Sequence, residues 1–300
     1  MWIVRHKKIF FIISGILLAA SIALIAAFGL RFGIEFSGGT LVEATFTERP
    51  EKAEITPSLE NIREGISVQL QTTGDGGYLV RTPFLSEDEQ GALTSTIEAA
   101  GGTVERISSI GPSIGNELRS KAAVAIAVVL LVIILFVAYA FRKVSEPVSS
   151  WKYGFVAIGA LIHDVLIPTG AFALLGHLVG YEVDVLFVMA LLAILGYSVN
   201  DTIVVFDRIR ENLQINSEKN TDEPFEETVG RSLSQTYTRS INTSLTTVLV
   251  LVALYIFGAT STEHFALTLI IGAIAGTYSS IFFASPLLVQ IEKWQRKKES

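Results

Sequence analysis

The strongest constraint on this chain is a set of long apolar runs that hold almost no charge. The first, residues 9–30, contains 22 consecutive uncharged residues, and residues 122–141 form a second such run. A helix of about 20 apolar residues crosses the hydrocarbon core of a bilayer. Only 17% of the residues are charged, whereas about a quarter are charged in a typical soluble domain. The chain is therefore predicted to be an integral membrane protein.

Four further apolar runs give six predicted membrane spans. They lie at 9–30, 122–141, 153–176, 185–206, 240–257 and 265–291. The first run could also be a signal peptide, with Ala26-Ala27 near the cleavage region. Its 22 residues exceed the apolar region of a signal peptide, which has about 7–15 residues, and this favours an uncleaved span.

Residues 31–120 are the one part with the character of a soluble domain, and they are acidic, with seven Lys and Arg against fourteen Asp and Glu. Strands are predicted at 41–46, 67–73, 78–82 and 103–110, the middle two joined by a hairpin turn at Gly74–Gly77. Helices are predicted at 57–65 after a Thr56 cap, and after Ser86, whose capping box uses Glu89. The order βαββαβ predicts a ferredoxin-like α+β domain between the first two spans.

The distribution of Lys and Arg predicts the orientation in the membrane. Basic residues lie before the first span, between spans two and three, between spans four and five, and after span six; they include Arg5, Lys7, Lys8, Arg142, Lys143, Lys152, Arg208, Arg210, Lys219, Arg231, Arg239, Lys293, Arg296, Lys297 and Lys298. The opposite loops, 177–184 and 258–264, carry none. Both termini are therefore predicted to be cytoplasmic and the acidic domain external.

This orientation predicts four regions along the chain. Residues 1–30 form the cytoplasmic N-terminus and first span, 31–120 the external domain, 121–291 spans two to six with a cytoplasmic loop at 207–239, and 292–300 a cytoplasmic tail. The loop is predicted to continue the fourth helix and then to form a second helix, capped by Asn220-Thr221-Asp222. The apolar stripe of Phe225, Val229 and Leu233 indicates either a helix along the membrane interface or a solvated connector.

One carboxylate, Asp201, lies inside the fourth span, about five residues before its polar end. A charged side chain there costs about 2.5–3.5 kcal/mol on insertion scales, so its default interpretation is functional. Arg239 begins the fifth span at similar depth, and Asn200 precedes the aspartate. An arginine beside the carboxylate favours its ionised form, and exchange of that partner would allow proton uptake and release. A fixed structural ion pair is the alternative. Residues that continue the polar stripe of the fifth span are Asn242, Thr243 and Thr246.

His163 and Asp164 lie halfway along the third span, four residues before Pro168. A buried carboxylate beside a histidine is suited to relaying protons. A static polar contact that satisfies backbone groups freed by the proline is the alternative interpretation.

Other patterns in the sequence indicate helix packing or exclude a class of function. Gly272 and Gly276 form a G-x-x-x-G pair that predicts a close helix contact. The chain has no cysteine, so thiolate metal sites are excluded, and the sequence predicts neither a metal site nor a cofactor. No basic patch indicates nucleic-acid binding, and no P-loop indicates ATP hydrolysis. An intramembrane aspartyl protease would need two membrane carboxylates, but neither Asp164 nor Asp201 lies in the surrounding motif typical of such enzymes.

Four segments are specific enough to indicate a family. They are GYSVNDTIVVFDRIREN from Gly196, SLSQTYTRSINTSLTT from Ser232, LIHDVLI from Leu161 and GIEFSGGT from Gly33. Through these segments the chain resembles the SecF family, and the resemblance covers nearly the whole chain. SecF proteins are the smaller subunits of the bacterial SecDF protein-export accessory, which is related to the resistance-nodulation-division transporters. One departure is Glu35, where the family usually has aspartate.

The resemblance implies a function and a set of partners. SecD would complete a pseudo-symmetric unit of twelve spans in the bacterial cytoplasmic (inner) membrane, and the SecYEG channel, YajC, YidC, membrane lipid and the preprotein substrate would be further partners. The proton motive force would drive late stages of preprotein export. Asp201 matches the membrane aspartate of this span in the family, Arg239 matches its functional arginine, and a further aspartate would come from SecD.

Three functions follow as alternatives. The first is the proton-driven export subunit just described, with Na⁺ as the other ion that the same carboxylate could use. The second is a proton-coupled exporter of small molecules or lipids from the same superfamily. The third is a passive assembly factor whose membrane charges are structural. Enzymatic activity is not expected.

Overall fold

The computed structural model describes residues 2–74, 76–140 and 150–299. Its helices are α1 (Trp2–Arg5), α2 (Lys7–Phe28), α3 (Ile34–Ser37), α4 (Lys52–Glu60), α5 (Glu87–Ala99), α6 (Pro112–Ala140), α7 (Ser150–Leu178), α8 (Val185–Glu218), α9 (Phe225–Phe257), α10 (Thr260–Tyr278), a π-helical segment (Ser279–Ala284) and α11 (Ser285–Glu299). Its strands are β1 (Gly39–Phe46), β2 (Gln69–Thr73), β3 (Gly77–Thr82) and β4 (Gly102–Ile110).

These elements group into two compact units. The membrane unit comprises the described residues up to Leu30, Ala125–Tyr181 and those from Leu186 onward. The sheet domain comprises Arg31–Val124 together with Glu182–Val185. The short segment 182–185, which leads into α8, therefore packs as part of the sheet domain.

The prediction of six membrane helices is confirmed. Helices long and apolar enough to cross a membrane are Lys7–Phe28, Pro112–Ala140, Trp151–Leu178, Val185–Glu218, Phe225–Phe257 and Thr262–Lys297. The second begins ten residues before its predicted start at Ala122, because the polar segment after Pro112 continues the same helix. The predicted last residue of that span, Phe141, and the basic pair Arg142-Lys143 lie outside the described residues, as does Asp75 in the hairpin turn.

The segment between spans four and five differs from both predicted alternatives. Helix α8 continues past the apolar run to Glu218, as predicted, but α9 begins directly after Pro224 and runs unbroken into the fifth span. The stripe of Phe225, Val229 and Leu233 is buried in the same core cluster as Val205 of α8. The stripe packs on protein, so neither an interfacial helix nor a solvated connector is correct. The predicted cap at 220–222 is also wrong, since the N-cap of α9 is Pro224.

The sixth span contains a π-helical segment that the sequence analysis did not predict. Pro286 lies two residues after it, past Ser285, and a proline inside a helix lacks an N–H and clashes with the carbonyl four residues earlier. Widening of the preceding turn relieves that clash. The Ser285 hydroxyl donates to the Ser280 carbonyl at 3.1 Å, which satisfies one acceptor in the widened turn.

Close contact between the sixth span and α8 confirms the prediction made from the glycine pair. A Cβ added at Gly272 would lie 2.1 Å from an Ile194 side-chain carbon, and one added at Gly276 would lie 3.0 Å from Ser198 Cβ. Only glycine permits this approach, which brings the Ser198 side of α8 close to the sixth span.

The sheet domain has the predicted order of elements, βαββαβ, with α4 and α5 as its helices. Its four antiparallel strands lie in the order β2-β3-β1-β4. Buried side chains from β1, β3, α4 and α5 form a separate core. The predicted capping box is present, since the Ser86 hydroxyl accepts from the Glu89 N–H and the Glu89 carboxylate accepts from the Ser86 N–H.

The helix between β1 and β2, α4, lies five residues earlier than predicted. It spans Lys52–Glu60 instead of 57–65, and Pro57 is inside it. Thr56 is not a cap; its hydroxyl donates to the Lys52 carbonyl at 2.6 Å. Ile55 and Leu59 are 3% and 0% exposed. Burial of this i, i+4 pair fixes the helix position and outweighs the backbone hydrogen bond lost at the proline.

Candidate functional site

The pair His163-Asp164 on α7 is a fully buried pair of titratable side chains in the membrane unit. Both side chains are 0% exposed, and His163 Nδ1 lies 2.9 Å from Asp164 Oδ1. The imidazole stacks between the rings of Tyr278 and Phe283 at centroid distances of 5.8 and 5.6 Å. His163 Nε2 is buried without a hydrogen-bond partner among the described residues. The pair thus forms a polar centre enclosed by aromatic rings.

Two hydroxyls from other helices bind the second oxygen of Asp164. Ser279, at the start of the π-helical segment, donates to Oδ2 at 2.8 Å, and Ser198 of α8 donates to the same oxygen. These contacts run between helices and do not reach the backbone freed by Pro168. They join the third, fourth and sixth spans at one carboxyl group.

Asp201 lies on α8, close to this centre, and is half-buried. The Ser240 and Ser280 hydroxyls lie beside its carboxyl group, and Arg239 and Asp164 are within electrostatic range of it. Asp201 Oδ2 and Ser240 Oγ are buried without hydrogen-bond partners among the described residues. The carboxyl group of Asp201 is therefore held partly away from water, with hydroxyls and a guanidinium group nearby.

Ser280 places a hydroxyl beside the Asp201 carboxyl group and next to the backbone of Ser198. Its Oγ lies 2.8 Å from Thr202 Oγ1 and 3.5 Å from the Ser198 carbonyl oxygen, while the Ser198 hydroxyl binds Asp164. Hydroxyls both donate and accept hydrogen bonds, so this set can pass a proton from one acid to the other once the Ser198 or Ser280 hydroxyl rotates toward the other. We refer to Ser198, Thr202, Ser279 and Ser280 as the hydroxyl bridge. Sequence analysis missed it, although Ser279-Ser280 in an apolar span before a proline was an available signal.

Arg239 and Asn200 occupy a different position from Asp164. Both are exposed in this chain, and none of the ion pairs in the described part of the protein joins Arg239 to Asp201. Arg239 is nevertheless close enough to act on the aspartate electrostatically. Exposed polar residues continue along the same part of α9 at Asn242, Thr243 and Thr246. The structure therefore brings together Asp164, His163 and Asp201, with Arg239 and Asn200 at an open polar face.

A second polar cluster joins the ends of α8 and α9 beyond the apolar runs. Arg231 donates to Asn212 Oδ1 and Asn216 Oδ1, both at 2.9 Å, and to Glu223 Oε2 at 2.7 Å. Asn212 is 1% exposed and also donates to Ser232 at 2.8 Å. We call Asn212, Asn216, Glu223 and Arg231 the hairpin cluster. It fixes the two helix ends and was not predicted, because its members are ordinary surface residues when read in sequence.

Replacing Glu223 with Gln should destabilise the protein near neutral pH. Hydrogen bonding to Arg231, with further hydrogen bonds from Asn216 and Thr228, lowers the pKa of Glu223 to about 2. Because the unfolded value is ~4.3, this stabilisation is complete above that value and is lost as the pH falls toward 2. We expect Glu223→Gln to lower the unfolding free energy by about 1.5–3 kcal/mol at pH 7.

Thermal unfolding followed by tryptophan fluorescence between pH 3 and pH 7 measures this effect. The matched control is Glu211→Gln, which removes an exposed ion pair with Arg208 within one helix; it should cost only about 0.3–0.5 kcal/mol. Equal Tm values for Glu223→Gln and the unmodified protein at pH 7 would refute the stabilising role of the cluster.

The described residues contain no group of three or more His, Cys, Asp or Glu side chains that could hold a metal ion.

The fold and this site define a class: multi-pass membrane proteins with a polar, acid-containing centre between their helices. Family models match the chain twice, "Protein export membrane protein SecD/SecF, C-terminal" over residues 92–294 and "SecD/SecF GG Motif" over residues 23–48. The chain belongs to the SecF family of protein translocase subunits.

Individual relatives agree with this assignment. The SecF protein of Thermobaculum terrenum is 43% identical, over 98% of this chain and 94% of the relative, and that of Anaerolinea thermophila is 39% identical, over 96% and 92%. The crystal structure of SecDF from Thermus thermophilus aligns with a TM-score of 0.83 and 33% identity over 98% of this chain. The chain spans 38% of the length of that SecDF chain.

Proposed function

We propose that this chain is the membrane subunit of an accessory to the Sec channel, driven by the proton motive force, which assists late stages of preprotein export. The observation that carries the proposal is the pair of acids, Asp164 and Asp201, on adjacent membrane helices, with the hydroxyls of Ser198 and Ser279 at Asp164 and those of Ser240 and Ser280 beside Asp201. Acids held away from water between membrane helices are typical of proton-coupled transporters. Membership of the SecF family supports protein export as the work performed.

The energy available is sufficient for a conformational change. One elementary charge that crosses 100 mV releases about 2.3 kcal/mol. That amount shifts a two-state equilibrium by about 50-fold, since each factor of ten requires about 1.4 kcal/mol. A single proton bound and released at Asp201 therefore suffices to bias the position of α8 between two arrangements.

The open polar face supports a requirement for a second membrane subunit. Arg239, Asn200 and the polar residues that follow on α9 are exposed in this chain, and polar groups facing lipid are costly. A protein partner would cover them, and SecD is the candidate, with a further acidic residue placed to meet Arg239. The SecYEG channel, YajC and YidC are the other proposed partners.

In this proposal the protein lies in the bacterial cytoplasmic membrane with both termini cytoplasmic. The absence of Lys and Arg from 177–184 and 258–264 supports that orientation. The sheet domain is then external and faces the emerging preprotein, and the hairpin cluster is cytoplasmic.

Preprotein release from membrane vesicles tests the proposal. Vesicles that contain this chain with SecD should release preprotein faster than vesicles without them, and a protonophore should remove that difference. Loss of the difference is the result expected of a proton-driven subunit. Stimulation that survives the protonophore would instead favour the passive assembly factor, while failure to copurify with SecD and the channel would favour the small-molecule or lipid exporter.

A further inference from the structure

A short parallel backbone contact joins two segments of the sheet domain that are far apart in sequence. The Gly33 N–H donates to the Val183 carbonyl at 2.9 Å, and the Val183 N–H donates to the Arg31 carbonyl at 2.6 Å. Val183 is 5% exposed. The segment that follows α2 is thus fixed to the segment that precedes α8.

Arg81 holds both of these segments through one guanidinium group. It donates to the Glu182 carboxylate, to the Phe32 carbonyl at 2.6 Å and to the Ser37 hydroxyl at 2.9 Å. A planar fork of donors suits such simultaneous contacts, and lysine could not reproduce them. We call Arg81 with segments 31–33 and 182–184 the Arg81 junction.

The backbone of Arg81 is among the most firmly held in the domain. It lies in β3, where Leu41 of β1 pairs with it on one side and Gln69 of β2 on the other. A residue paired on both sides within a sheet moves with the whole sheet. The guanidinium therefore links 182–184 to the sheet as a body.

Gly33 lies close to the acids of the junction. A Cβ added there would meet the carboxylate end of the Glu35 side chain and lie 3.4 Å from Asp184 Cβ. Segments 31–33 and 182–184 are therefore closely packed at this point. Gly38 and Gly39, which precede β1, have φ of 72° and 136°, a region of backbone conformation that favours glycine.

Three carboxyl groups, Glu35, Glu182 and Asp184, face one another at the junction, with Arg81 and Arg106 as the cations within range. Burial raises the pKa of Glu35, and Asp184 adds to that effect. Burial also raises the pKa of Glu182, against the opposing effect of Arg81. Removing Arg81 would leave these partly buried acids without their hydrogen-bonded cation, with Arg106 still nearby, and would weaken the attachment of 182–184 to the sheet.

Segment 182–184 continues directly into the helix that carries Asp201. Helix α8 begins at Val185, and the 16 residues from there to Asp201 correspond to about 24 Å of continuous helix. A continuous helix transmits an axial shift or rotation to its end with little loss. Whatever moves Asp201 therefore displaces segment 182–184.

We propose that Arg81 is the positioning residue through which movement of α8 is passed to the sheet domain. The contact to Glu182 and the backbone contact at Val183 make the start of α8 and the sheet move together. This inference rests on the proposed function, because it takes the proton-driven movement of α8 as its input. It assigns to Arg81 a role in coupling and none in proton binding.

Two measurements on the same vesicles, which contain this chain with SecD, test the inference: preprotein release and proton uptake followed with a pH-sensitive dye. Arg81→Ala should lower proton-dependent release by about tenfold, as expected for loss of a charge-assisted contact, while proton uptake stays as in the unmodified protein. The matched control is Arg63→Ala, which removes an ion pair with Glu89 elsewhere in the same domain and should leave both readings unchanged.

The charge-exchange double variant Arg81→Glu with Glu182→Arg distinguishes loss of this contact from unfolding of the domain. It should recover part of the release lost in Arg81→Glu alone. Normal release in Arg81→Ala, or joint loss of release and uptake in a protein that still assembles with SecD, would overturn the role of Arg81. Failure of the proposed function would give a different result: preprotein release from vesicles with the unmodified protein would be unchanged by the protonophore.

Discussion

Replacing Asp201 with Asn should reduce preprotein release to the level that a protonophore produces, while the protein still assembles with its partners. Asparagine keeps the size of the side chain but cannot exchange a proton, so α8 loses the charge change that would move it. Because Ser240 and Ser280 are hydroxyls, they can donate to or accept from the amide, and the local packing should survive. Release from vesicles with and without protonophore is the measurement.

The control for this variant lies on the same helix. Asp207→Asn removes an exposed carboxylate that pairs with Arg210, one turn away, and such a pair contributes about 0.3–0.5 kcal/mol. It should leave proton-dependent release unchanged. Full stimulation in Asp201→Asn would end the proton-driven account, whatever the family assignment.

The second large effect is expected at Asp164. Its Oδ2 accepts from Ser198 and Ser279, and its Oδ1 faces His163. If this acid passes protons to Asp201 across the hydroxyl bridge, Asp164→Asn should lower proton uptake and proton-dependent release together, each by about tenfold. Ser279→Ala should lower both less, since Ser198 still binds the carboxyl group.

A buried hydroxyl outside the bridge provides the comparison. Thr268 is 0% exposed and donates to the His264 carbonyl of its own helix at 2.7 Å. Thr268→Val removes that hydroxyl at nearly constant volume and should leave uptake unchanged. A fall in Tm for Asp164→Asn, with uptake and release intact, would instead identify His163-Asp164 as a static polar contact.

Features that depend on local sequence were predictable. Six membrane helices follow from apolar runs, and the Ser86–Glu89 capping box follows from residues three positions apart. The paired glycines Gly272 and Gly276 predicted a close contact because one helix turn places them on the same face. In each case the physical cause lies within a few residues of its effect.

Features that depend on tertiary packing were missed or wrong. The stripe of Phe225, Val229 and Leu233 was read as facing a membrane or solvent, but its partner is the extended end of α8. The predicted helix at 57–65 failed because burial of Ile55 and Leu59 outweighed the usual placement of proline at a helix start.

The candidate site divides in the same way. Asp164 and Asp201 were identifiable because an acid in an apolar run is rare. Ser198 was not, since serine is common in membrane helices. Ser279 and Ser280 gave a signal by their place before a proline in an apolar span, but which hydroxyls face each other depends on tertiary packing. Arg81 and Glu182 are 101 residues apart, and neither residue type marks a contact over such a separation.

The central claim is that Asp201 itself binds and releases a proton while the protein works. Infrared difference spectroscopy on the chain assembled with SecD measures this directly, through the carbonyl stretch of a protonated carboxyl group as pH is varied. We expect a band that disappears as pH is raised, is absent from Asp201→Asn and is kept in Asp207→Asn. A spectrum of Asp201→Asn identical to that of the unmodified protein at every pH would contradict the account.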